Sequence, residues 1–559
     1  MKYIIGISSF NRDSTVSLLT DNGTLLGAVS EEKFSRVKQQ GGFPHMALRY
    51  LLSNHNVKND EIDSICYSFM SADEEERVIR EKQKQDSKNY FSLINKWHRE
   101  DYNNWCNRAI SGHKEYNKLL YESCKQYNLE KKIRFYHHHF CHATTAYYYS
   151  GFDNCLVITI DWYGSGLSGQ IYKADSGFLT PILDIPMPHS LGMFYAQVTR
   201  ALGFKISRHE GKILGLAAYG KESMLSNWLE KQFIFDGKTI RFKNSFANNK
   251  LAKYQFLLFG RENMAFAYQK VLENVSTKLV DHYLKQENMS HLALAGGVAA
   301  NVKNNQRLYE LEGVKGIFIQ PDMGDGGAGL GAALARAKEL QKLPVKKMGS
   351  VYLGPSYSNQ EIEGVLKKNE VTYEKHDDIE KIISDLLIKG EIIARFNGQL
   401  EYGPRALGNR SILAQATDSA INESLNNQLK RTEFMPFAPA TRIEDAEICY
   451  KNCNNAKYAC RFMTMTLDCT EEMKKISPAA VHIDGTARPQ LVRKEDNPSF
   501  HKILTYYKNK TGISSIINTS FNIHEEPIVC SPEDAVRGLI DARLKYLAIG
   551  PFLAYNKSN

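Results

Sequence analysis

The chain lacks the marks of several protein classes. None of its ten cysteines forms a Cys-x-x-Cys pair, and Cys449 and Cys453 are the closest approach. Neither a disulfide framework nor a thiolate zinc site is therefore indicated, and a reducing compartment is expected. No window of about 18 uninterrupted apolar residues occurs, which argues against a membrane-spanning helix. The start, Met1-Lys2-Tyr3-Ile4-Ile5-Gly6-Ile7, reads as a strand without a secretory leader's layout. A cytoplasmic location is the resulting expectation. Lys/Arg runs of the nucleic-acid type are also missing. The 71 basic and 62 acidic residues leave a net charge of +9 spread over 559 residues, so anionic small ligands such as phosphates are expected in place of a polynucleotide.

At 559 residues the chain exceeds one hydrophobic core, and two to four domains are expected from domain-size statistics. Leu343-Pro344-Val345-Lys346-Lys347-Met348-Gly349 reads as a linker, dividing the chain into 1–348 and 349–559. The first 30 residues read as strand, loop, strand, an Asp21-Asn22-Gly23 turn and a returning strand, as sugar-kinase and Hsp70-like nucleotide folds begin. Residues 72–132 are charged and helical, with Tyr90, Phe91, Trp97, Tyr102, Trp105, Tyr116 and Tyr121 interleaved. These aromatics form the core of a helical insertion or an acceptor-recognition lid.

Three stretches carry chemistry. In Tyr136-His137-His138-His139-Phe140-Cys141-His142-Ala143, His138 and His142 are four apart. On a helix they share a face, the spacing with which two imidazoles grip one metal ion; the same pattern also occurs on plain polar surface. Asp161 ends the apolar run Val157-Ile158-Thr159-Ile160, where α/β folds place ligand-binding groups, and Asp325 lies in Gly324-Asp325-Gly326-Gly327. Two His and two Asp suit iron(II), manganese or zinc. Next, Leu292-Ala293-Leu294-Ala295-Gly296-Gly297 is an apolar strand ending in Gly-Gly before Asn301, which allows close approach of backbone to adenosine or phosphate, or is a plain strand-to-helix connection. Last, Arg405 and Arg410 lie in a glycine-bounded loop beside Ser411, with Arg488 and Asn518-Thr519-Ser520-Phe521-Asn522 further on. Such groups hold a polyphosphate or acyl phosphate, or make ordinary surface pairs.

The run Glu401-Tyr402-Gly403-Pro404-Arg405-Ala406-Leu407-Gly408-Asn409-Arg410-Ser411-Ile412 closely resembles the NodU/TobZ/CmcH family of O-carbamoyltransferases. So do His138-His139-x2-His142-Ala143, Lys212-Ile213-Leu214-Gly215-Leu216, Ala295-Gly296-Gly297-Val298-Ala299, Met435-Pro436-Phe437-Ala438-Pro439, Asp484-Gly485-Thr486-Ala487-Arg488 and Asn518-Thr519-Ser520-Phe521-Asn522. The resemblance implies an α/β protein with an N-terminal actin-like (ASKHA-type, TsaD-like) fold followed by a YrdC-like α/β domain. The YrdC-like site would make carbamoyl-adenylate from carbamoyl phosphate and ATP, with Mg expected alongside ATP. The N-terminal site would pass the carbamoyl group to a hydroxyl, or an amine, of a small-molecule, natural-product or sugar acceptor. His138, His142, Asp161 and Asp325 would hold Fe(II) or another divalent metal. Lys38, Lys212, Gly296, Gly297, Asn301, Arg405, Arg410, Ser411, Arg488, Asn518 and Ser520 would contact the nucleotide or carbamoyl phosphate. The resemblance leaves room for a homodimer.

The chain departs from that family where Arg12-Asp13-Ser14 stands in place of His-Asp-Ser. Arginine takes no proton at neutral pH, so Asp13, Arg12 and His139 become the candidate catalytic groups. After the strand, Asp161-Trp162-Tyr163-Gly164-Ser165 replaces Asp-Gly-x-Gly-Glu, so altered acceptor or adenylate contacts are expected. An actin-like kinase using ATP directly and a silent nucleotide-binding relative are the competing readings.

Overall fold

The computed structural model describes residues 2–10, 12–86, 93–243, 245–431 and 434–556. Tyr90 and Phe91 of the expected insertion lie outside them. The chain divides into two compact units, residues 1–28 with 41–348, and residues 29–40 with 349–559.

The first unit contains two five-stranded sheets. One is formed by β1 (Tyr3–Ser8), β2 (Thr15–Thr20), β3 (Leu25–Ser30), β4 (Ile62–Tyr67) and β5 (Ile133–Phe135), in the order β3-β2-β1-β4-β5. The other uses β6 (Asn154–Gly164), β7 (Leu167–Asp175) and β8 (Phe178–Pro186). After a small hairpin of β9 (Phe233–Phe235) and β10 (Ile240–Phe242), β11 (His291–Ala295) and β12 (Gly316–Ile319) complete it in the order β12-β11-β6-β7-β8. Both sheets therefore have one topology, an antiparallel three-strand meander whose first strand pairs parallel with the fourth, which pairs parallel with the fifth. Nothing in the residue pattern announces this repetition, because the two copies differ in crossover length. Parallel central strands need both faces covered, and Leu156 to Ile160 of β6 are all buried. The helix Asp325–Leu340 lies directly on β1, where a Cβ on Gly6 would come within 2.0 Å of the Gly329 carbonyl oxygen.

The crossover from β4 to β5 contains helices α3 (Ala72–Asp86) and α4 (Leu93–Lys125), numbered after α1 (Glu32–Ser35) and α2 (His45–Asn54). Ile79 of α3 and Tyr102, Cys106 and Ile110 of α4 share a core with Met187, Met193 and Phe246, against which Trp105, Trp162 and Tyr163 pack. Tyr102 and Trp105 of the insertion thus share a core with Trp162 and Tyr163 at the end of β6, whereas Tyr121 is 46% exposed.

The second unit is an eight-stranded mixed sheet. Its strands are β13 (Thr372–Lys375), β14 (Ile393–Phe396), β15 (Arg410–Gln415), β16 (Ala438–Arg442), β19 (Gln490–Val492), β20 (Ser515–Ser520), β21 (Tyr546–Ile549) and β22 (Phe552–Tyr555); β17 (Leu467–Asp468) and β18 (Thr486–Ala487) pair separately. The order is β13-β22-β21-β14-β15-β20-β16-β19. Helices Ile379–Ile388 and Pro498–Thr511 bury Ile383, Leu387, Phe500, Ile503 and Leu504 against it.

Residues 29–40 group with this second unit, which corrects the boundary expected from the linker. The cause is a polar strap. Arg36 donates to the Pro527 and Ile528 carbonyls at 2.8 Å and pairs with Asp534 at 3.2 Å, while Lys38 donates to the Glu526 carbonyl at 3.2 Å. Burial would raise the Glu32 carboxyl, but Lys33, Lys38 and the Gln39 amide outweigh it and hold its pKa at about 2. A depressed carboxyl stabilises the fold above its unfolded value of 4.5 and loses that contribution as pH falls towards 2. Glu32→Gln is therefore expected to lower unfolding free energy by on the order of 3 kcal/mol at pH 7 and by little near pH 2, as read by urea unfolding.

Candidate functional site

The His-rich stretch forms helix α5 (His138–Tyr148), buried along nearly its whole length. One helical turn separates His138 and His142, and their Nε2 atoms face each other at 3.1 Å. His138 Nδ1 lies 3.1 Å from the Ser68 carbonyl, which can only accept, so Nδ1 carries a proton and Nε2 is the atom turned to the cluster. Two acidic oxygens complete the cluster. Asp161 Oδ2 is 3.3 Å from His142 Nε2, and Asp325 Oδ1 is 3.5 Å from His138 Nε2 and 3.8 Å from His142 Nε2. All four donor atoms lie within 4.8 Å of one another.

Each ligand has a reason to be there. Asp161 stands at the end of the buried part of β6, and its carboxylate accepts from the Trp162 amide at 2.6 Å and the Gly297 amide at 2.8 Å. Gly296 has φ +96°, and a Cβ there would lie 2.4 Å from the Ile160 carbonyl oxygen. A Cβ on Gly297 would come within 2.9 Å of Asp161 Oδ1. The Gly-Gly turn thus brings backbone against the Asp161 carboxylate. Asp325 opens the helix that the Gly6–Gly329 approach pins to β1.

The electrostatics favour positive charge. Burial opposes protonation of His142, yet Asp161 and Asp325 outweigh it and lift its pKa to about 9. Burial would raise the Asp325 carboxyl, but His138 and His142 hold it far below the usual carboxylate range. Two imidazole nitrogens at contact distance, between two carboxylates, form a set that a divalent cation would satisfy, and this donor chemistry fits iron(II), manganese or zinc. Gly164 is part of the same construction, because a Cβ there would lie 2.0 Å from His138 Cδ2. Gly164→Ala is expected to push the imidazole aside and weaken Mn(II) binding by about tenfold or more, measured by direct titration.

The other expected residues fall in different settings. His139 is fully buried with Nδ1 3.1 Å from the Thr159 hydroxyl, and burial and the neighbouring histidines drive its pKa well down. Its surroundings hold it neutral, and its Nε2 is buried without a hydrogen-bond partner. Arg12 donates to the Ile206 carbonyl at 2.8 Å, and its charge reaches Glu210, whose carboxyl burial raises. Asp13 follows in the left-handed region at φ +53°. Lys212 is buried in the helix Glu210–Ala217. Asn301 caps the helix Val302–Tyr309 by accepting from the Asn304 amide at 3.0 Å, and exchanges hydrogen bonds with Gln269.

In the second unit the loop between β14 and β15 is built inward. Glu401 Oε1 accepts from the Leu407, Asn409 and Arg410 amides at 2.8 to 3.1 Å. Arg410 is 0% exposed. It donates to the carbonyls of Asn397, Asn409, Pro355 and Gly398 and lies 3.7 Å over the Phe396 ring. Its two terminal nitrogens donate to backbone, while its buried Nε has no hydrogen-bond partner. Ser411 is buried and accepts from the Gly408 amide at 3.0 Å. Arg395, missed in the sequence, donates to the Gly408 carbonyl and to the Ser499 hydroxyl, and burial pushes its pKa down to about 10. An arginine inside the buried strand Ile393–Phe396 was the available signal. Asn518 donates to Gln490 at 2.7 Å and to the Ala406 carbonyl at 3.3 Å. Arg431, also missed, donates to the hydroxyls of Thr519 and Ser520 and to Asn522 at 2.8 to 3.0 Å. Arg405 and Arg488 are both partly exposed.

Fold and site together define a two-unit α/β protein whose first unit gathers two histidines and two aspartates at strand and helix ends. Residues 3–334 match the family described as Carbamoyltransferase N-terminus, and residues 384–556 match Carbamoyltransferase C-terminus. An uncharacterised protein of Synechocystis is 31% identical over 99% of this chain and 96% of its own length. The nodulation protein NolNO of Sinorhizobium fredii is 28% identical over 98% of this chain and 79% of its own. A 3'-hydroxymethylcephem-O-carbamoyltransferase of Streptomyces clavuligerus is 28% identical over 44% of this chain and 45% of its own. The chain belongs to the carbamoyltransferase family and is a transferase enzyme. Among solved structures, component A of the Acidaminococcus fermentans (R)-2-hydroxyglutaryl-CoA dehydratase gives a TM-score of 0.34 at 16% identity, covering 61% of this chain and 99% of that one. HypF of T. kodakarensis gives 0.32 at 12% identity, covering 61% of this chain and 48% of that one. Among the described residues no helix is long and apolar enough to cross a membrane.

Proposed function

We propose that the protein is an ATP-dependent carbamoyltransferase acting on a hydroxyl, or an amine, of a small-molecule acceptor. The observation that carries the reading is the convergence of His138, His142, Asp161 and Asp325 in a chain of the carbamoyltransferase family. In the second unit, taken as YrdC-like, water releases phosphate from carbamoyl phosphate. The resulting carbamate oxygen attacks the α-phosphorus of ATP and expels pyrophosphate. Arg405 and Arg488 offset the charge that develops on the phosphate oxygens, with Asn518 and Ser520 at the adjoining strand end; Mg accompanies ATP.

The first unit, taken as actin-like on the strength of its twice-used strand order, carries out transfer. The acceptor oxygen attacks the carbamoyl carbon, the bond to AMP breaks, and Asp13 takes the acceptor's proton. Arg12 keeps a positive charge at that strand end. His138, His142, Asp161 and Asp325 would hold iron(II) or a related divalent ion, which would supply Lewis acidity there. Gly296, Gly297 and Lys212 line the approach of the nucleotide. Anionic co-substrates also suit the mild positive balance of the chain.

The test is to incubate the protein with ATP and carbamoyl phosphate and follow nucleotide and phosphate products. Pyrophosphate and AMP are expected. ADP, formed in proportion to acceptor, would establish the kinase reading instead.

A further inference from the structure

The crossover helices α3 and α4 send polar groups beneath the His/Asp cluster. Glu75 of α3 is 0% exposed. Its Oε1 accepts from the Ser165 hydroxyl at 2.8 Å and its Oε2 from the Tyr163 hydroxyl at 2.8 Å. His113 of α4 is also buried, with Nε2 3.2 Å from the Tyr163 hydroxyl and 3.8 Å from Glu75 Oε2. The network continues into the site. Ser165 Oγ accepts from the backbone amide of His138 at 3.1 Å, the first residue of α5. Phe69 stacks on the His138 ring, with centroids 4.4 Å apart, and touches the His113 ring on its other side at 5.3 Å.

We propose that Glu75 is a positioning residue of the transfer site, by which the α3–α4 crossover sets both the Asp161 loop and the histidine helix in register for a divalent ion. A buried carboxylate is costly unless its oxygens are hydrogen-bonded, and here the donors it takes come from the end of β6 and the turn that follows it, just beyond Asp161. Through Ser165 the same carboxylate reaches an otherwise unbonded amide at the start of α5, where helix amides favour negative charge. Ser165 both donates to Glu75 and accepts from His138, so moving the carboxylate moves a ligand's backbone. Tyr163 is held likewise, and Trp162 beside it packs on the shared core with α4. The loop carries no acid between Trp162 and Gly166, and Glu75 supplies one from another element. The inference rests on the reading of the cluster as a metal centre, and it assigns to the crossover a role that neither its own core nor a detached lid would give it.

The experiment is Mn(II) titration followed by electron paramagnetic resonance on wild type, Glu75→Gln, Tyr163→Phe and Ser165→Ala, with Glu76→Gln as a neighbouring control. Outer hydrogen bonds to a metal site are worth about 10- to 100-fold in affinity. Glu75→Gln and Ser165→Ala are expected to weaken Mn(II) by that order, their combination by no more than the larger single effect, and Glu76→Gln not at all. The melting temperature of each metal-free protein is read alongside. Should Glu75→Gln fail to fold, Ser165→Ala and Tyr163→Phe decide the matter. Tight Mn(II) binding in wild type with unchanged affinity in every folded variant, whatever their melting temperatures, overturns the role of Glu75 alone. Absence of Mn(II) and Fe(II) binding in wild type overturns the metal-centre reading and this inference with it.

Discussion

Arg410→Ala is expected to abolish pyrophosphate release by unfolding the second unit, whereas Arg405→Ala is expected to abolish it with the fold intact. The two arginines stand five apart in one loop, but only Arg410 is fully buried, and its guanidinium serves four main-chain carbonyls. Removing it strands those acceptors away from water and deletes the partner stacked on Phe396, a loss on the order of 4 kcal/mol or more. Arg405 is partly exposed, and truncating it takes away positive charge without emptying a core. A transition-state charge contact of this kind is worth about 100-fold in rate. Scanning calorimetry and a pyrophosphate assay on both variants distinguish the cases. Wild-type melting of Arg410→Ala would contradict the structural assignment, and wild-type pyrophosphate release by Arg405→Ala would remove it from the phosphate site.

The second large effect is expected at the histidine pair. His142→Ala and His138→Ala each remove one of four donors from a cluster with none to spare, so bound Fe(II) or Mn(II) should fall to background and carbamoyl transfer by about 100-fold or more. Pyrophosphate release should persist, since adenylate formation is proposed for the other unit. Metal analysis of purified protein and the two partial reactions provide the readout. Full metal content in both variants would dissolve the proposed centre. His142→Ala should also melt at a lower temperature near neutral pH, because Asp161 then loses its histidine partner and lies close to Asp325 with less charge to offset it.

The His/Asp cluster was legible in part because helical periodicity alone puts His138 and His142 on one face, and Asp161 ends an unmistakable apolar strand. Asp325, more than 160 residues further on, stood out as an acid in a glycine-rich turn, but the residue pattern could not place it beside the histidines; the glycine pair at Gly6 and Gly329 is what presses its helix onto β1. The arginine loop left more open, since a Gly-bounded run of polar residues reads the same whether its donors face a ligand or its own carbonyls. Burial decides between them, and burial is not a local property.

The amino-acid sequence by itself determined the alternation of strands and helices and the histidine face, both consequences of local periodicity and residue type. Only the tertiary structure decided that residues 29–40 join the second unit, that one sheet topology is used twice, and that Glu75 lies against Ser165 and Tyr163. Each of these depends on which distant groups meet out of water, where an unpaired charge or carbonyl is costly and a paired one is held in place.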